Sequence, residues 1–221
     1  MAIQATHIRF SLDLKDQLGV LDLKKYVAGS VYPDSRYMTG VVRTLTHPKD
    51  FLESDFFKKT ADDFRKGWFA HLLCDTIQSA IVRETLPEIC EAIPGKGTES
   101  RWVLHSGMKV LQDMDDITHY DIKEYLPFLD YTENPNQEDV RKIRAYNAVC
   151  QKMYASPEKM FLQHYRDMWQ TWNVEPVLVE QIAAAVEMYA QDARIMHIMR
   201  QIYPESVRRA KHFFENRAAA V

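Results

Sequence analysis

Residues 60–81 read TADDFRKGWFAHLLCDTIQSAI, and their spacing decides the fold class. Apolar side chains recur at Phe64, Trp68, Phe69, Leu72, Leu73, Ile77 and Ala80, the spacing of one helical face. Thr60 and Asp63 stand ahead of that run in the form of a capping box, so the helix is expected to begin at Thr60. Pro87 limits its far end, because proline has no amide hydrogen to donate.

The same period holds on either side. A first helix is expected from His7 to about Asp16, ending near Gly19, and a second from Leu21 toward Ala28, with a break over Gly29 to Pro33. Asp34 to His47 reads as irregular or partly helical. Pro94-Gly95-Lys96-Gly97 is a loop signal, followed by a helix from about Glu99 to Met114. Pro127 and Glu133-Asn-Pro-Asn136 make another break. Asn136 with Asp139 is then expected to cap a helix running to about Tyr154. Ser156 and Pro157 form an N-cap and N1 pair that opens the next helix. Asn173 to Pro176 opens another, with Leu178, Ile182, Ala185 and Tyr189 as its apolar stripe, and Tyr203-Pro204 is expected to set off the last one. Strand-like alternation is nearly absent, and the 221 residues hold only 7 Gly and 9 Pro, so the expected fold is an all-α multi-helix bundle. We expect a single domain overall. Residues 1–130 carry its chemistry, and residues 136–221 form a helical extension packed on the same fold beyond a boundary near Pro135.

Charge and composition exclude several classes. A formal net charge of −3 gives no basic surface for bulk nucleic-acid binding. No run of apolar residues is long enough for a transmembrane helix. The opening residues lack the basic and apolar regions of a secretory signal. Cys74, Cys90 and Cys150 are odd in number and form no CxxC pair, which argues against a disulfide framework and a cysteine zinc site. A reducing cytoplasm is the expected location.

The chemistry lies in the first third, in His7, Asp34, His47, His71 and Asp75. His71 and Asp75 are four apart on the central helix, so they share a face. Their apolar neighbours would leave a lone carboxylate uncompensated, and a divalent ion would supply the missing partner. Imidazole nitrogen with carboxylate oxygen suits zinc first, with iron, manganese or nickel as alternatives. Other histidines read as bland. His119 lies beside Asp115 and Asp116, which read as solvated acids near a helix end. His164, His197 and His212 lack matched carboxylates, and Trp169 and Trp172 read as core.

At these residues the chain resembles the zinc-dependent phospholipases C and the related fungal zinc nucleases. That family is all-helical and carries an early His, a Gly-x-x-x-Pro-Asp turn, a His about a dozen residues later, and a helical Gly-x-x-x-His-x-x-x-Asp. This chain has His7, Gly29-Ser-Val-Tyr-Pro33-Asp34, His47 and Gly67-Trp-Phe-Ala-His71-Leu-Leu-Cys-Asp75. The resemblance covers residues 5 to 80 well and extends weakly to about 115. It implies one site of Asp34, His47, His71 and Asp75, and a neighbouring site of His7 and Asp75, with Asp75 bridging. It further implies hydrolysis of a small phosphoric ester or lipid head group by metal-activated water, with Asp34 as ligand, general base or both. Arg36, Arg43 and Lys109 are candidates to neutralise a phosphate.

The chain also departs from the family. Ser79, Ala80 and Ile81 stand where a further His is usual. His105, a possible additional ligand, is followed four residues later by Lys109 in place of Glu. An ammonium repels a cation, so one or two ions are expected rather than three. Two other classes compete. One is a non-catalytic helical binding or scaffold domain with a degenerate metal site. The other is an HD-type phosphohydrolase, which needs a His-Asp dipeptide that this chain lacks.

Overall fold

A computed structural model describes residues 3–53, 62–90 and 97–218, and all regular structure among them is helical. In chain order the helices are α1 (Gln4–Leu14), α2 (Leu23–Val31), α3 (Arg36–Thr39), α4 (Arg43–Thr46), α5 (Asp63–Thr85), α6 (Pro87–Cys90), α7 (Gly97–Asp116), α8 (Val140–Met153), α9 (Leu162–Thr171), α10 (Pro176–Gln191) and α11 (Ala193–Ala218). Short 3-10 turns lie at Tyr32–Ser35, Ile122–Glu124, Leu126–Asp130 and Pro157–Lys159. No helix among the described residues is long and apolar enough to cross a membrane.

Local chemistry accounts for most boundaries. The Asp22 carboxylate accepts from the Lys25 amide at the start of α2, and Asp139 accepts from the Arg141 amide at the start of α8. Pro176 occupies the first turn of α10, where a missing amide hydrogen does no harm. Gly40, at φ 77°, closes α3 in the left-handed conformation.

Four expectations are corrected. Gly29 does not break α2, which continues to Val31. Ser156 and Pro157 open only a three-residue 3-10 turn, and the next α-helix starts at Leu162. Pro204 lies inside α11 and separates nothing. Asn136 caps no helix; its amide donates to Glu138 Oε2 at 2.9 Å, and Asp139 alone takes the N-cap. The capping box at Thr60 and the loop residues Pro94 to Lys96 lie outside the described residues, and Gly97 already belongs to α7.

Contacts group the chain into two units, each drawn from separated segments. The first comprises residues 1–6, 74–119 and 161–221; the second comprises 7–73 and 120–160. Helix α5 thus supplies residues 63–73 to the second unit and 74–85 to the first.

In the first unit α7 lies along α10, with α6 and α11 also against α7. The approach to α10 is close because Gly107 faces Ala185: a Cβ on Gly107 would come within 2.9 Å of the Ala185 Cβ. Buried Asp113 ties three segments of this unit together. It accepts the Thr6 amide at 3.0 Å through Oδ1 and the Tyr165 hydroxyl at 2.8 Å through Oδ2. Asp116 is buried too, accepting from Gln112 Nε2 at 3.0 Å, which corrects its reading as a solvated acid. Asp115 does pair with exposed His119, at 3.2 Å.

The second unit has an aromatic core of Tyr26, Tyr32, Phe64, Trp68, Tyr146 and Tyr154. Two glycines let α2 and α5 touch backbone to backbone. A Cβ on Gly29 would collide with the Phe64 carbonyl, and one on Gly67 with the Tyr26 carbonyl. That contact sets Ser30 of α2 against His71 of α5.

Candidate metal centre

Four of the sequence-selected side chains converge within the second unit. His7 comes from α1, Asp34 from the 3-10 turn after α2, His47 from the C-cap of α4 and His71 from α5. His7 and His71 have no exposed surface, Asp34 is 2% exposed and His47 is 7% exposed. The imidazoles of His7 and His71 stack at 3.6 Å between centroids and 13° between planes. His47 meets His71 edge-on at 5.2 Å and 72°. Ligand atoms of His7, Asp34 and His71 all lie within 4.8 Å of one another.

Hydrogen bonds orient the rings. His71 Nδ1 lies 2.8 Å from the Ser30 carbonyl, which can only accept. Nδ1 therefore carries the hydrogen, and Nε2 of the neutral ring presents a lone pair. His47 Nδ1 lies 2.9 Å from Thr46 Oγ1, whose own hydrogen is directed to the Arg43 carbonyl at 3.4 Å. The contact holds the His47 ring with Nε2 turned toward His71. The Thr46 carbonyl is in turn held by Trp68 Nε1 at 2.7 Å.

The two Nε2 atoms face each other. His71 Nε2 and His47 Nε2 are 3.2 Å apart, and Asp34 Oδ1 is 3.9 Å from His47 Nε2. At that distance a shared proton or a cation lies between the nitrogens. Two ligands on one tetrahedral ion, each bound at about 2.0–2.1 Å, would be separated by about 3.3 Å. The nitrogens thus stand at the spacing that a shared tetrahedral cation requires. Among the described residues no thiolate joins these groups, so the donors are imidazole and carboxylate, as borderline divalent ions prefer.

Asp75 follows His71 by one turn of α5, is 7% exposed, and belongs to the first unit. In comparisons with family models, curated proteins and solved structures, nothing matches the chain. The site's chemistry therefore has to be argued from its own geometry.

Three further positions meet elsewhere. Ser79, His105 and Lys109 line one cavity of the first unit. His105 belongs to neither group of converging ligand atoms among the described residues. Arg43 is exposed, and the Arg36 guanidinium stacks over the Tyr37 ring at 4.1 Å.

Sequence reasoning missed the residues that hold the ligands. Ser30 acts through its carbonyl and Thr46 through its hydroxyl, and neither role leaves a pattern in the sequence. Tyr32, next to the Pro33-Asp34 turn, donates its hydroxyl to buried Glu138 and accepts from Asn136 Nδ2 at 2.7 Å. Burial, and then the Glu138 bond, push the Tyr32 phenol above its usual range, so it stays a donor. The partners are 106 residues apart, beyond any local motif.

Proposed function

We propose that the chain is a metal-dependent hydrolase of phosphoric esters, with the helical architecture of the zinc phospholipase C and nuclease type. The observation that carries this reading is the 3.2 Å approach of two buried imidazole nitrogens, His47 Nε2 and His71 Nε2, beside the Asp34 carboxylate. Asp34, His47 and His71 would hold one divalent ion, zinc first, with His7 beside them. An ion bound there supplies Lewis acidity to a phosphoryl oxygen and lowers the pKa of water toward about 7. Asp34 would serve as ligand, general base or both. The substrate class is a small phosphoester or lipid head group.

The test is metal content by mass spectrometry on protein purified without an affinity tag, followed by a phosphodiester screen. Near-stoichiometric metal that is lost in His71→Ala, with turnover in the loaded wild type, is expected. No metal after loading with zinc, manganese and iron would overturn the reading. The burial of all four of these side chains favours one other reading, a closed metal site in a non-catalytic binding or scaffold domain. Stoichiometric metal with no phosphoester turnover would select it.

A further inference from the structure

The segment that delivers His47 to the candidate centre also has an outward side. Between buried Asp34 and exposed Asp50 it carries Arg36, Arg43 and Lys49 and no carboxylate, in a chain whose formal net charge is −3. Helix α4 is a single turn with two unlike sides. Thr46 and the His47 that follows it are buried, and Trp68 Nε1 holds the Thr46 carbonyl at 2.7 Å. Val42 and Leu45 are instead 60% and 52% exposed. The Leu45 amide donates to the Val42 carbonyl at 3.0 Å, so the two apolar side chains stand one turn apart and share a side.

Positive charge gathers around this turn. Arg43 and Lys49 are exposed, and neither takes part in an ion pair among the described residues. Arg36 stacks on the Tyr37 ring at 4.1 Å. Helix α3 packs on α8, which adds exposed Lys142, Arg144 and Lys152 and has no acidic residue from Val140 to Met153. The exposed acids that bound these two stretches in sequence are Asp50 and Asp139, and Asp139 is already bound to Arg141 at 2.9 Å.

Exposed aliphatic side chains beside unpaired cations match the interface of an anionic bilayer. There the aliphatic groups enter the acyl boundary while guanidinium and ammonium groups stay among the headgroup phosphates. Each cation held near such a surface strengthens binding about fivefold. A nucleic acid would use the cations and leave Val42 and Leu45 in water.

We propose that the Val42–Leu45 turn docks on an anionic phospholipid surface. Val42 and Leu45 enter the interface, and Arg43 and Lys49 lie at its headgroups. The surface is built without any of the candidate ligands, so it goes beyond the hydrolase reading.

The test is co-sedimentation of the full chain with phosphatidylcholine vesicles, with and without phosphatidylserine. Binding to the phosphatidylserine vesicles alone, weakened by added salt, is expected. Arg43→Gln should weaken it about fivefold and Leu45→Ser about tenfold. Both side chains are exposed, so an unchanged Tm in each variant separates lost binding from lost folding. The readout is binding rather than turnover, so its failure leaves the hydrolase reading untouched. No binding to either vesicle, equal binding to both, or full affinity in both variants would overturn the proposal. So would a dimer that Leu45→Ser dissolves, seen by analytical ultracentrifugation without vesicle binding, which would assign the face to a second copy of the chain.

Discussion

Thr46 offers no ligand atom of its own, yet its hydroxyl holds the His47 ring through Nδ1 at 2.9 Å. Partners of this kind orient ligating imidazoles, and losing one typically weakens metal binding by about 10–100-fold. Thr46→Val keeps the side-chain shape and removes the hydroxyl, so we expect a loss of that order, read by competition with a chelating indicator. An unchanged affinity would mean that the Thr46 contact does not position the His47 ring. Tyr165→Phe is a residue-scale change in the first unit. It strips a 2.8 Å donor from buried Asp113, and a loss of about 1–3 kcal/mol in denaturant unfolding is expected.

Helices α2 and α5 meet where Gly29 and Gly67 leave no room for a Cβ. In each case the obstacle is backbone carbonyl, which cannot rotate away as a side-chain tip could. Gly67→Ala should therefore force the helices apart and cost at least about 2 kcal/mol, measured by denaturant midpoint. The same displacement lengthens the 2.8 Å bond from His71 Nδ1 to Ser30, so metal affinity should fall as well. A stable Gly67→Ala variant with native affinity would contradict this packing. Helix α11 is tied differently. Arg209 bridges Glu205, at 2.7 Å, and Glu84 of α5, also at 2.7 Å. Hydrogen bonds from Arg208 and then Arg209 lower the Glu205 carboxyl to about 2. A carboxyl with a depressed folded-state pKa stabilises the fold above its unfolded value of 4.5, and that contribution is lost as pH falls toward 2. Glu205→Gln should thus lower Tm at neutral pH and match wild type near pH 2. Because these groups are largely exposed, the difference should shrink in high salt.

At the scale of the molecule, the chain passes between its two units several times, so neither unit is a continuous stretch of sequence. The partners of α7 within the first unit, α10 and α11, come from after residue 160. A fragment ending at Pro135 keeps every candidate ligand but strips α7 of those helices. We expect it to lack a cooperative thermal transition, followed by circular dichroism. A sharp transition in the fragment would show that residues 1–135 fold alone.

What the sequence determined by itself was local and periodic. The apolar spacing after Phe64 predicts α5, Pro176 predicts the start of α10, and the scarcity of strand patterns predicts an all-helical fold. Those signals are legible because helix hydrogen bonds and caps join residues three or four apart. The same locality explains the misreadings. Gly29 looks like a break until its packing against Phe64 is known, and Pro204 looks like a stop although the surrounding helix tolerates it. For the candidate centre, the sequence supplied the residue types His7, Asp34, His47, His71 and Asp75. Only the tertiary structure decided that two Nε2 atoms face each other, because Ser30, Thr46 and Trp68 orient them through contacts that span up to 41 residues and leave no periodic trace.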